Sequence, residues 1–132
     1  MYTLSLIFNK DKTEVLMCFH KKQKAMNFIG GKVENNEDPI DASYRELFEE
    51  TGISKDDVEL KLLRFERVTT GYKKVWSMYI TYGILNKDVE LKTEKNILDW
   101  VSIFDREVFL NAFGMGNCFL FLNEALLMMQ DE

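Results

Sequence analysis

Glu46, Glu49 and Glu50 stand at i, i+3 and i+4 near the end of a stretch that reads as a helix. On a helix such like-charge pairs are unfavourable by about a few tenths of a kcal/mol each. Glu49 and Glu50 also fall in the last turn, where the helix dipole favours cations. Arg45 offsets part of this through an i,i+4 pair with Glu49. A hard divalent cation would remove the repulsion altogether. Carboxylate oxygens are natural ligands for Mg²⁺ or Mn²⁺, and Mg²⁺ keeps several waters and bridges to substrate phosphates. A solvated acidic face would carry the same triplet, and the triplet by itself does not choose between the two. A broken local rule is nonetheless where function is expected.

Gly30-Gly31 precedes this helix. Glycine lets a backbone approach a ligand closely. A loop beside clustered carboxylates can offer N–H groups to phosphate and a carbonyl to a metal. A plain turn would look the same, so the pair gains meaning only from its fixed distance to the acids.

These groups need a frame. Asp38 is a favoured N-cap, and Pro39 suits the first helical position, where its missing N–H had no partner. Gly52 suits the left-handed position past the end. The spacing therefore predicts a helix over Asp38 to Thr51. At about 100° per residue, Ile40, Tyr44, Leu47 and Phe48 form one apolar stripe for the core. Glu46, Glu49 and Glu50 fall on the opposite side, with the small residues Ala42 and Ser43 one turn earlier leaving room beside them.

Around the helix, Thr3–Phe8 and Glu14–Phe19 read as a hairpin across Asn9–Lys12. His20–Lys24 reads as a basic loop, and Phe28–Val33 as a short run broken by the glycines. Val58–Val68 and Val75–Leu85 read as long strands joined through Thr70-Gly71-Tyr72, and Ile97–Ile103 as another. A short helix is expected near Asp105–Asn111. A final helix over Asn117–Gln130 has Asn117 as a plausible cap. It is apolar on nearly every side, which implies burial in its own core or, in part, against a second copy. Strands before and after a central helix, then a closing helix, predict an α+β fold with a mixed sheet between helices.

The chain has 132 residues, enough for one domain with one core, expected to span 1–132. A net charge of −5 argues against an extended basic surface for nucleic acid. The N-terminus reads as a strand rather than a signal peptide, and no apolar run approaches the ~20 residues of a membrane-spanning helix. Cys18 and Cys118 lack metal-site spacing and read as buried reduced thiols. A cytoplasmic protein without nucleic-acid or membrane partners is the expectation.

Taken together, Gly31, Glu37, Arg45-Glu46-Leu47, Glu49-Glu50 and Gly52-Ile53 keep a fixed spacing. This resembles the Nudix box of the Nudix hydrolase superfamily at every defining position. Outside the box the likeness is looser but covers the chain, including Trp100-Val101 and the closing helix. The resemblance implies an α/β/α sandwich and hydrolysis of a nucleoside diphosphate linked to another group. It implies Mg²⁺ or Mn²⁺ on Glu46, Glu49 and Glu50, with the Gly30 carbonyl as a further ligand. Arg45 would orient a glutamate, and Glu37 would support the same network. Glu49 or Glu50 would take the proton of the attacking water. Glu94 is the candidate for an acid outside the box; a solvated loop charge is its other reading.

The stretch from Met26 to Glu37 is similar to the oxidised-purine nucleoside triphosphatases, the MutT-like subgroup, where an Asn ahead of the glycines reads the base edge. Asn27 falls at that position. His20, Lys21 and Lys22 lie where those enzymes carry lysines near phosphate; Lys22, Gly31 and Lys32 are the phosphate-binding candidates. Those enzymes also read the purine with a Trp and paired Asp residues before the last helix. Here Phe113-Gly114-Met115-Gly116-Asn117 stands instead, without an acid. Trp76, Tyr79, Phe113 and Met115 could stack on a base. The resemblance thus implies a small-molecule nucleotide substrate: a nucleoside triphosphate, 8-oxo-dGTP among the options, cleaved to monophosphate and pyrophosphate by a monomer or homodimer. ADP-ribose, a nucleotide sugar or a dinucleotide is the alternative substrate, and a nucleotide-sensing domain without catalysis the alternative class.

Overall fold

The computed structural model describes residues 1–21, 24–69, 75–92, 97–111 and 117–130, with the backbone alone at 68–69, 75–76 and 117. Among the described residues seven strands and three helices follow in chain order: β1 Tyr2–Phe8, β2 Glu14–His20, β3 Ala25–Asn27, β4 Ile29–Lys32, α1 Pro39–Thr51, β5 Lys61–Thr69, β6 Val75–Ile84, β7 Ile97–Ser102, α2 Arg106–Leu110 and α3 Asn117–Met129.

The hairpin expected of β1 and β2 exists only at its root, where Phe8 faces Val15. Beyond that point the two strands part. The N-terminal half of β1 pairs antiparallel with β4, Tyr2 to Ser5 against Lys32 to Ile29, while β2 takes β3 and β7 as antiparallel neighbours. On its other edge β1 runs parallel to β6 along its whole length, and β6 pairs antiparallel with β5. The sheet is mixed, as expected, and splits into a β4–β1–β6–β5 half and a β3–β2–β7 half. The short strand β3 lies between the basic loop read over His20–Lys24 and the run read over Phe28–Val33, where the sequence reading has no element.

Side-chain alternation builds a layer on each face. Leu4, Leu6 and Phe8 of β1, with Val15 and Met17 of β2, pack against Phe109 of α2 and Cys118, Phe121, Leu122, Ala125 and Met129 of α3. Ile7, Leu16, Cys18 and Ile29 point the other way and pack with Leu47 of α1, Ile53, Val58 and Leu60. Helices thus cover both faces of the sheet. One face of α3 enters the core, and Leu120, Leu127 and Met128 are exposed.

α1 ends where its caps require. The Asp38 carboxylate accepts the Ile40 N–H at 3.1 Å, and Gly52 closes the helix at φ 80° by donating to the Phe48 carbonyl at 2.9 Å. Its rotation about its own axis differs from the apolar-stripe expectation. Ala42, Ser43, Leu47 and Thr51 are buried, Ile40 and Tyr44 are partly buried, and Phe48 is 59% exposed. The small residues let the helix sit close to the sheet: the Ser43 hydroxyl bonds that of Thr3 on β1. That rotation carries Glu46 and Glu50 toward the sheet instead of away from it.

Candidate active site

The wall facing these carboxylates is β4. A Cβ built on Gly31 would lie 2.3 Å from the Glu46 carboxyl carbon and 2.5 Å from both of its oxygens. A Cβ on Gly30 would lie 2.1 Å from the Thr3 carbonyl oxygen of the paired strand. The two glycines therefore do different things. Gly30 lets β4 lie against β1, and Gly31 lets the Glu46 carboxylate lie against β4. The Gly30 backbone N–H also faces the Glu50 carboxylate and favours its charged form.

Arg45 organises the other end of the cluster. Its Nε and Nη2 grip both oxygens of Glu37 at 2.8 and 3.0 Å, in the two-pronged geometry that suits guanidinium and carboxylate. Its Nη1 donates to Glu46 at 3.0 Å and to Glu49 at 3.2 Å, and Nη2 also donates to the Lys32 carbonyl at 2.9 Å. One guanidinium thus ties the loop before α1, the last turn of β4 and two of the three box glutamates together. Glu37 is held in turn by the Glu34 N–H at 3.1 Å. The Lys32 carbonyl is a member of this network that no side-chain pattern announces.

The three glutamates are not equivalent. Glu49 is 55% exposed at the side chain and Glu46 15%. Burial pushes the Glu46 carboxyl up, and Arg45 pulls it back. Glu50 is pushed up to about 7, by burial first and then by the Glu46 charge, against the pull of the Gly30 N–H. Glu37 is held below the usual carboxylate range by its bonds from Arg45 and the Glu34 backbone. Cys18 adjoins Glu50, but burial, with the Glu50 charge adding to it, raises its thiol to about 11. It is therefore a neutral packing group at physiological pH, as is Cys118, raised by burial to about 11.

These carboxylates fit a hard divalent ion in the manner of Mg²⁺. Among the described residues no three or more His, Cys, Asp or Glu gather closely enough to hold a metal ion by themselves. Mg²⁺ needs no such cluster, since one or two carboxylates, waters and substrate phosphates complete its shell. The cost of keeping Glu50 charged beside Glu46 and Glu49 is the sort that such an ion relieves. A stability prediction follows from the sign of the Glu50 shift. A carboxyl raised from 4.5 to about 7 in the folded protein binds more protons there than when unfolded. The metal-free protein then loses stability as pH rises through that window, by at most about 1.4 kcal/mol per pH unit. Chemical unfolding at stepped pH should show this fall, and Glu50→Gln should flatten it.

The other candidates distribute as follows. Asn27 ends β3, only Phe28 separates it from β4, and its side chain meets the α3 side of the sheet: its Oδ1 accepts from the Phe28 N–H at 2.8 Å and from the Cys118 thiol at 3.4 Å. Lys32 is exposed at the end of β4. Tyr79 stands beside Thr3 on the α1 side, where burial and the Asp38 charge raise its phenol, so it does not share a face with Cys118. Glu94, Lys22, Phe113, Met115, the 70–72 turn and the side chains of Trp76 and Asn117 lie outside the described residues. No helix among the described residues is long and apolar enough to cross a membrane.

Comparison with known proteins agrees with the fold. Over 57 residues the chain is 40% identical to an RNA pyrophosphohydrolase of Pseudomonas putida, a match that covers 43% of this chain and 36% of that protein. The chain thus spans little more than a third of the length of the curated relatives it matches. A NUDIX-family hydrolase of Clostridium perfringens superposes with a TM-score of 0.76 at 24% identity, covering 98% of this chain and 97% of that one. The dihydroneopterin triphosphate pyrophosphohydrolase of E. coli superposes with a TM-score of 0.76 at 15% identity, covering 92% of each. These two likenesses show the fold. The NUDIX domain model matches residues 2–114, box and flanking strands together, and the chain belongs to that family.

Proposed function

We propose that this domain is a divalent-metal-dependent pyrophosphohydrolase of nucleoside triphosphates, releasing a nucleoside monophosphate and pyrophosphate. The observation that carries the reading is the packing of Glu46 and Glu50 against Gly30-Gly31, with Glu49 beside them and Arg45 fixing two of the three. It puts acidic ligands next to a backbone wall that a polyanion can approach.

Glu46, Glu49 and Glu50 would hold Mg²⁺ or Mn²⁺, with the Gly30 carbonyl as a further ligand. When bound, the metal supplies charge neutralisation of the phosphate oxygens and an acidified water. Arg45 keeps the Glu46 and Glu49 carboxylates from swinging into solvent, and Glu37 keeps Arg45 in place. Glu49 or Glu50 is positioned to take the proton of the attacking water, with Glu94 as the candidate outside the box. Gly31, Lys32 and Lys22 are the phosphate contacts, and Asn27 the base contact. The substrate class is supported by the position of Asn27 and by pyrophosphohydrolase chemistry in the names of two of the similar proteins. A role in clearing oxidised nucleotides such as 8-oxo-dGTP, in the manner of MutT-like enzymes, belongs to the same proposal.

A second reading, the same cleavage at a triphosphorylated RNA end, is favoured by the likeness to the Pseudomonas protein. One panel separates the readings. Nucleoside triphosphates, 8-oxo-dGTP, a triphosphorylated RNA oligomer, ADP-ribose, nucleotide sugars and dinucleotides are each incubated with Mg²⁺, and phosphate is measured apart from pyrophosphate. Pyrophosphate release from nucleoside triphosphates is the expected outcome. Turnover confined to ADP-ribose or nucleotide sugars would reject the proposal, and turnover confined to RNA would select the second reading.

A further inference from the structure

The last turn of α1 carries Glu49 and Glu50, and it is wound against its own electrostatics. A helix leaves its last carbonyls without partners of its own, and anions there meet the negative end of the dipole. Thr51 closes this turn and is wholly buried. Its hydroxyl donates to the Leu47 carbonyl at 2.7 Å and accepts the Ile53 N–H at 3.1 Å, so one oxygen spans the exit of the helix. Its carbonyl accepts the Lys92 N–H at 2.8 Å, from the chain between β6 and β7. A Cβ on Gly52 would come within 3.1 Å of the Lys92 Cβ, so the two segments lie in close contact.

The segment that ends at Lys92 is itself anchored. Leu85 donates to the Phe8 carbonyl of β1 at 2.9 Å, and Val89 and Leu91 pack against the core cluster of Leu47, Ile53 and Val58. The Asn86 side chain donates to the Asp56 carbonyl at 2.8 Å and its N–H to the Asp57 carbonyl at 3.0 Å, and Lys87 pairs with Asp57 at 3.4 Å. Residues 85–92 therefore form a strap that ties both ends of residues 51–57 to the sheet. Arg45 donates to Glu46 and Glu49, and among the described residues it makes no bond to Glu50. The backbone turn that bears Glu50 is held by the strap instead.

We infer that Thr51 is a positioning residue for the metal ligands, and that the Lys92 N–H on its carbonyl keeps the Glu49–Glu50 turn wound before an ion arrives. Thr51 acts through those carboxylates, from a buried position. The inference rests on the proposed metal role of the glutamates, and it goes further by naming what preorganises them. Without the clamp, repulsion among Glu46, Glu49 and Glu50 loosens the turn, and part of the binding free energy of the metal goes into rewinding it. The apparent dissociation constant then rises in inverse proportion to the fraction of molecules whose turn is wound. Once the ion is bound the turn is restored, so turnover at saturating metal changes little. A purely structural role would act otherwise: it would lower the melting temperature equally with and without metal and leave the dissociation constant alone.

The test titrates Mn²⁺ into the substrate-free protein and follows the free ion by electron paramagnetic resonance, so it does not depend on turnover. Thr51→Val keeps the branched shape and loses the hydroxyl. Lys92→Pro keeps that hydroxyl and loses the N–H. Each should raise the Mn²⁺ dissociation constant by about tenfold, as for the loss of one hydrogen bond of preorganisation. Thr51→Ser and Lys92→Ala retain the bonds and should stay within about twofold of wild type. In steady-state assays with a nucleoside triphosphate, Thr51→Val should raise the Mg²⁺ concentration for half-maximal rate by the same factor, with kcat at saturating Mg²⁺ within about threefold of wild type. Circular dichroism reports folding, and where Lys92→Pro does not fold, Thr51→Val decides. Constants within about twofold of wild type in the folded variants would overturn the inference and leave the proposed function standing. A wild type that binds no Mn²⁺ would overturn the proposed function, and this inference with it.

Discussion

Glu50→Gln should lower kcat on the best substrate by about a thousandfold with Mg²⁺ saturating, while the protein stays folded. The change keeps size and the Gly30 N–H contact but removes a charge. Glu50 is the most strongly raised acid of the site, by burial and by the Glu46 charge. Two consequences therefore point in opposite directions. The metal-free variant should be at least as stable as wild type near neutral pH, because a buried charge flanked by Glu46 and Glu49 is gone. Stabilisation by added Mg²⁺ should shrink, because less negative charge remains for the ion to neutralise. Melting with and without Mg²⁺, alongside steady-state kinetics, reads both. A variant with near-wild-type turnover would remove Glu50 from the metal site. A variant that lost activity by unfolding would show a lower melting temperature in both conditions.

Both ends of α1 were legible because its caps are local chemistry. Asp38, Pro39 and Gly52 act within a turn of where they stand, and no distant element can reassign them. The rotation of α1 was not legible in the same way. A helical wheel ranks residues by apolarity, and on that basis Phe48 belongs inside. Close approach to the sheet is decided instead by the lack of side chain at Gly31 and the small size of Ala42 and Ser43, and Phe48 is left outside. The acidic edge could be identified by spacing, but its contact with β4 could not, since it depends on that rotation. The β1–β2 hairpin was over-read for a related reason. The turn at Asn9–Lys12 is local and real, yet β4 takes the edge of β1 and β3 the edge of β2 beyond Phe8 and Val15. Strand β3 has three residues and no β-branched side chain, too little signal for a periodicity argument. The Arg45–Glu37 grip was legible as an acid and a base in one motif, whereas its anchor on the Lys32 carbonyl was not.

The two glycines of β4 supply a sharper contrast than any pair of acids. At Gly31 an added Cβ collides with the end of a flexible side chain, the Glu46 carboxylate. Glu46 can swing aside, at the cost of its bond from Arg45. Gly31→Ala should therefore fold with a melting temperature close to wild type and lose about a hundredfold in kcat/KM, as expected for a misplaced charged group. At Gly30 the added Cβ meets the Thr3 carbonyl oxygen, backbone in the middle of the β1–β4 ladder, which cannot move without parting the strands. Gly30→Ala should cost about 3 kcal/mol of stability or more, in the range of severe overpacking. Thermal unfolding of the two variants beside their kinetics separates the roles. Equal destabilisation of both would mean that Glu46 is pinned as rigidly as a strand. Equal activity in Gly31→Ala and wild type would mean that the contact between β4 and Glu46 has no part in catalysis.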